Sequence, residues 1–219
     1  MKLEELTGSI VHLSYKSQRK LASTFLRFQE HYESSEFRGR VFELEDFMWW
    51  YMNNTEEGVE KGKFTYGKDF EGFNIPSVAL EPFYGGKFNP LSKKERKILE
   101  LFEKRRGQRF YIIATYKSDG KKRQRKTLKH EIAHGLFYTN PRYKEEVLRV
   151  LNKIDAKKLR EINHFLKNEK YHPDVLQDET HAYIISGLSN LREFGIKTRD
   201  LYEVKKQLNE IFQRHYPLY

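Results

Sequence analysis

Apolar residues recur at helical spacing through much of the chain and give way to strand-like runs in only a few places. From Leu21 to Tyr32 the positions Leu21, Phe25, Leu26 and Phe28 share one helical face. Leu44 to Met52, with Phe47, Met48, Trp49 and Trp50, predicts a second and very aromatic helix. Between Gly58 and Lys87 the periodicity fades into short aromatic runs broken by Gly62, Gly67, Gly72, Pro76, Gly85 and Gly86, which reads as turns with short strands. Ser92-Lys-Lys-Glu95 has the spacing of a capping box and opens a helix to about Arg105, with Ile98, Leu99, Leu101 and Phe102 as its stripe and Gly107 beyond its end. Arg109 to Tyr116 has the β-branched and aromatic density of a strand. After Asn140-Pro141 the pattern is helical: Arg142 to Lys153, Asp155 to Asn168, Asp174 to Ser186 and Asp200 to Arg214.

Strands early and helices late predict an α+β fold, a small mixed sheet followed by a mostly helical C-terminal half. Residues 1–57 read as an N-terminal helical, aromatic-rich cap or subdomain and 58–219 as the main domain, with one continuous domain over 1–219 as the alternative. If Arg109 to Tyr116 is a sheet edge, it could pair with an extended peptide; an interior strand is an equal reading.

Composition narrows the function. With 219 residues, 38% hydrophobic and 15% aromatic, the chain can bury one sizeable core. It has no apolar run of about 18 residues, and Met1-Lys-Leu-Glu-Glu-Leu lacks the apolar centre of a signal peptide, so a soluble, cytoplasmic protein without a membrane partner is expected. Zero cysteines exclude disulfides and thiolate metal ligands, leaving His, Asp and Glu. The net charge of +10 is spread among charges of both signs and reads as a solvated surface. One basic run, Lys117 to Lys126, reads as a loop after Ser118-Asp119-Gly120; the sharper reading has it rim a site and favour acidic substrates.

That site is announced by the stretch following the run. Thr127 to Tyr138 reads Thr-Leu-Lys-His-Glu-Ile-Ala-His-Gly-Leu-Phe-Tyr and contains HExxH. Residues four apart stack on one helix face, so His130 and His134 can both aim a ring nitrogen at one Zn²⁺. Glu131, about 100° round the helix, can reach a water at the metal without being a ligand, as a general base must. Leu128, Ile132, Ala133, Leu136 and Phe137 make the helix half-buried, where two unpaired imidazoles would be costly. A catalytic zinc site wants a third protein ligand. Glu179 is the best candidate, because the face Val175, Leu176, Glu179, Ala182, Tyr183, Ser186 is apolar apart from it and two hydroxyls. Asp178, His181, His172 and His164 compete; Asp178 and His181, three apart, also suit a mutual hydrogen bond or the orientation of His130 or His134. For a donor to a developing oxyanion, Tyr183 is the first choice against a plain core tyrosine, with His172 and Tyr138 as alternatives.

HExxH with a helix-borne Glu179 downstream resembles the gluzincin group of zinc metallopeptidases, over about Arg109 to Ser186. The resemblance implies a zincin-like fold with an edge strand before the metal helix, His130, His134 and Glu179 as ligands, and Glu131 as base in peptide hydrolysis. The best-known members carry an Asp four residues after the glutamate, where this chain has Tyr183. Its compact length and Glu-Thr-His-Ala-Tyr segment look closer to small minimal-scaffold gluzincins. The expected function is therefore a zinc-dependent metallopeptidase acting on a peptide or protein. The alternatives are a metallopeptidase-like protein covered by Trp49, Trp50 and Tyr51, and a basic module that binds nucleic acid or protein without proteolysis.

Overall fold

A computed structural model describes residues 1–70, 72–116 and 121–217. The protein is α+β, with a small four-stranded mixed sheet and a mostly helical C-terminal half. The chain divides into two compact units, Met1–Lys117 and Ser118–Tyr219.

The first unit is built on a sheet of order β1-β2-β4-β3: β1 (Lys2–Thr7), β2 (Ile10–Tyr15), β3 (Gly72–Pro76) and β4 (Tyr111–Tyr116). β1 and β2 form an antiparallel hairpin; β2 runs parallel to β4, with Val11 opposite Ile112 and Leu13 opposite Ala114; β3 pairs antiparallel with β4. Helix α1 (Gln18–Glu33) is capped by Ser17 and buries Leu21, Phe25 and Phe28. Phe25 stacks on Phe73 of β3, ring centroids 6.0 Å apart. Helices α2 (Leu44–Asn54), α3 (Glu56–Lys61) and α4 (Glu81–Tyr84) follow the sequence expectation loosely, and α5 (Lys93–Phe102) realises the capping box in full.

Three expectations change in this unit. The strand at Arg109 to Tyr116 is not an edge: β4 lies between β2 and β3, and Ile112, Ile113 and Ala114 are fully buried, so its main chain is already paired on both sides. The edges are β1, largely exposed and carrying Lys2, Glu4 and Glu5, and β3. Residues 1–57 are not a helical cap, because β1 and β2 belong to that sheet, and position 57 falls inside α3. Of the three aromatics considered as a cover, Tyr51 is buried and Trp50 packs against Phe37 and Phe47 within the first unit's core; Trp49 is exposed.

Among its described residues the second unit is built of helices: α6 (Lys121–Thr139), α7 (Pro141–Leu151), α8 (Ala156–Asn168), α9 (Leu176–Ser186), α10 (Ser189–Glu193) and α11 (Tyr202–His215). Lys117 to Gly120 of the basic run lie outside the described residues; from Lys121 the run is the start of α6, not a loop. Lys, Arg and Gln are good helix formers, which explains the difference. Side-chain caps begin two of the helices: Asn140 accepts from the Tyr143 amide, and Asp155 from the amides of Lys157 and Lys158. α9 is the hub, packed by α6, α7, α8 and α11, so even its polar residues Glu179, Thr180 and His181 are buried. Among the described residues no helix is long and apolar enough to cross a membrane.

Candidate metal centre

The site is assembled by α6 and α9 of the second unit. α6 buries Ile132, Ala133, Leu136 and Phe137. It is fastened by Lys126, whose Nζ donates to Ser189 Oγ (2.7 Å) and Asn190 Oδ1 (2.6 Å), and by Lys129, whose Nζ donates to Asn209 Oδ1 (2.6 Å) and sits over the Phe212 ring. With the helix fixed, the i, i+4 spacing brings His130 Nε2 and His134 Nε2 to 3.1 Å. From α9, Glu179 Oε1 stands 3.5 Å from His134 Nε2 and Oε2 stands 3.7 Å from His130 Nε2. One ligand atom from each residue lies within 4.8 Å of the others, a set that could hold a metal ion.

Burial makes this cluster costly without an ion. His134 and Glu179 are each 1% exposed, and Glu179 Oε2 accepts no hydrogen bond among the described residues. Burial first, with the charges of Asp178 and Glu131 adding, pushes the Glu179 carboxyl up to about 8 against the pull of His134. Burial disfavours the His134 cation, yet Asp178 and Glu179 outweigh it and drive that imidazole well above its usual range. His130 goes the other way, well below its usual range, through burial and the nearby His134 charge. Two imidazoles and a carboxylate converging on an enclosed point, one oxygen of it orphaned, fit a cation better than they fit each other.

No family model, curated protein or solved structure matches the chain.

Around this cluster stand the other residues singled out in the sequence. Glu131 is buried, and its charge acts on His134, Glu179 and Tyr183. Tyr183, half-buried, sets its ring edge-on to His130 at 5.1 Å, with its hydroxyl 3.5 Å from that of Tyr171. Asp178 places Oδ1 2.9 Å from His134 Nδ1, a contact ion pair rather than an aligned hydrogen bond, and 3.3 Å from His181 Nδ1. His134, acting against burial, holds the Asp178 carboxyl down to about 2. His172 and His164 are not brought in: His172 caps the single 3₁₀ turn Pro173–Val175, and His164 is exposed beside Asn168. Tyr138 lies about two turns beyond His130, near the end of α6.

Sequence reasoning missed Tyr143 on α7. It is fully buried, with its hydroxyl 3.0 Å from His181 Nε2. Its position on an amphipathic stripe carries only a packing signal. Ser186, noted on the Glu179 face as a hydroxyl, lies 3.3 Å from His130 Nδ1.

Proposed function

We propose that this protein is a zinc-dependent metallopeptidase of gluzincin type, with His130, His134 and Glu179 as metal ligands and Glu131 as general base. The observation that carries the reading is the triangle of half-buried His130 with buried His134 and Glu179, its edges 3.1, 3.5 and 3.7 Å, beside the buried Glu131. Donor atoms bound tetrahedrally to zinc at about 2.0–2.2 Å stand about 3.3–3.6 Å apart, so the triangle needs little adjustment. Two imidazoles and one carboxylate suit zinc and leave a position for water, whereas a structural site would be closed by a fourth ligand.

Bound zinc supplies Lewis-acid polarisation of the scissile carbonyl and acidification of the attacking water. Glu131 accepts the proton of that water and passes it to the departing amine. The Tyr183 ring stands edge-on to His130, and its hydroxyl donates to the oxyanion as it forms; burial first, and then the Glu179 charge, push its pKa up, so it keeps its proton. Arg125, exposed on α6 just over a turn before His130, favours peptides with acidic residues.

The test pairs elemental analysis with cleavage of a mixed peptide library followed by mass spectrometry, for the wild type and Glu131→Gln. Both proteins should hold a single zinc, and cleavage by the variant should fall about 10²–10⁴-fold, the usual worth of a general base. Absence of zinc after reconstitution, or cleavage undiminished in Glu131→Gln, overturns the reading.

A further inference from the structure

Behind His134 the buried polar groups form a line whose donors and acceptors match in one direction only. His181 is fully buried, and its Nδ1 faces two acceptors, the main-chain carbonyl of Asp178 at 3.0 Å and the Asp178 carboxylate at 3.3 Å. In a neutral ring that nitrogen carries the proton, which leaves Nε2 bare. Opposite Nε2, at 3.0 Å, stands the Tyr143 hydroxyl, which must donate. The same Asp178 oxygen faces His134 Nδ1 at 2.9 Å, so His134 carries a proton there and turns Nε2 towards His130 and Glu179.

We infer that Tyr143 and His181 are positioning residues for the metal: the run Tyr143 to His181 to Asp178 fixes the tautomer and ring plane of His134, so that its Nε2 lone pair meets the ion. This rests on the metal-site reading above and deepens it. The two histidine ligands are then supported differently. His130 is steadied by the neutral Ser186 hydroxyl, whereas His134 is held by a carboxylate that a buried histidine and tyrosine hold in turn. The rings are locked as well as bonded: Phe137 stacks on His181 at 5.2 Å, and Tyr143 meets it edge-on at 5.6 Å. A carboxylate that bridges two imidazoles has one useful rotamer, and the line from Tyr143 selects it.

Two measurements on the full chain test this. In the wild type without metal, long-range proton–nitrogen correlation of the imidazoles should show His181 protonated on Nδ1 with Nε2 bare; the opposite tautomer overturns the inference without any variant. Tyr143→Phe keeps the ring and removes the donor. Its zinc dissociation constant, measured by competition with a chromophoric chelator, should rise about tenfold or more, as loss of an outer-shell partner does. An unchanged zinc affinity, with only the melting temperature of the metal-free protein lowered, would make Tyr143 a packing residue and overturn the proposal. A wild type that binds no zinc at all would defeat the metal-site reading itself, and the tautomer measurement would still decide the direction of the line.

Discussion

Replacing Glu179 by Gln should have opposite effects with and without metal. The carboxyl of Glu179 is pushed up to about 8 from its ordinary 4.5, first by burial. Folded, metal-free protein therefore keeps this proton to about pH 8, while the unfolded chain loses it near 4.5. Between those values the folded state binds more protons than the unfolded one, so stability falls as pH rises. At pH 7 the difference spans about 2.5 pH units, or about 3 kcal/mol at 1.36 kcal/mol per unit, as a ceiling. Towards pH 8 the fraction of Glu179 that ionises also supports the His134 imidazolium, a support the variant lacks, so a net gain of about 1–3 kcal/mol is expected for Glu179→Gln in chelator. With zinc the order reverses: at a hundred times its dissociation constant the ion stabilises the wild type by about 2.7 kcal/mol, and the variant has lost a ligand. Urea unfolding should be followed by far-ultraviolet circular dichroism, because both tryptophans, Trp49 and Trp50, lie in the first unit. Midpoints at pH 5 and pH 8, each with chelator and with zinc, complete the comparison. A variant less stable than wild type in chelator at pH 8, or an advantage that does not grow with pH, would refute the reasoning.

Other outcomes follow from named contacts. Tyr183→Phe should retain zinc and lose about 10²–10³-fold in kcat, the usual worth of one oxyanion donor; equal loss of zinc in a metal assay would instead make it a scaffold residue. In the first unit Glu30, which accepts from Tyr66 Oη at 2.7 Å, is pushed up to about 7 from 4.5 by burial. Its contribution to stability accordingly falls as pH rises from about 4.5 through 7, and Glu30→Gln, which keeps the tyrosine bond, should remove up to about 3 kcal/mol of that pH dependence in denaturant titrations; identical pH profiles would contradict it.

What was legible in the sequence had local causes. HExxH is a spacing argument, and it brings His130 and His134 together because α6 is regular. Glu179 was visible as one carboxylate in an apolar face, and its burial follows from α9 being packed on several sides. The Ser92 capping box needs only four residues. What stayed hidden was long-range. β1 reads Lys-Leu-Glu-Glu-Leu-Thr, a polar and exposed edge with little alternation, and β2 is recognisable as a strand mainly through β4, which lies about a hundred residues further along the chain. The central place of β4 could not be known without those partners. Tyr143 lies 38 residues from His181, and nothing near it in the chain distinguishes it from a core aromatic.

The chain also contains its own standard for the candidate metal centre. In the first unit the buried Arg27 and Glu95 form a two-pronged pair, Nε to Oε1 and Nη2 to Oε2 both at 2.7 Å, while Glu95 accepts a further bond from the Ser92 amide. That carboxylate is matched by its own protein, as buried charge has to be to persist. Glu179 is at least as deeply buried, yet Oε2 has no hydrogen bond among the described residues, and imidazole nitrogens stand 3.5 Å from Oε1 and 3.7 Å from Oε2. A sequence that satisfies one buried carboxylate so fully has the means to satisfy another with an arginine or a serine. That it converges two imidazole nitrogens on Glu179 instead departs from local consistency in the way expected where a ligand completes the structure.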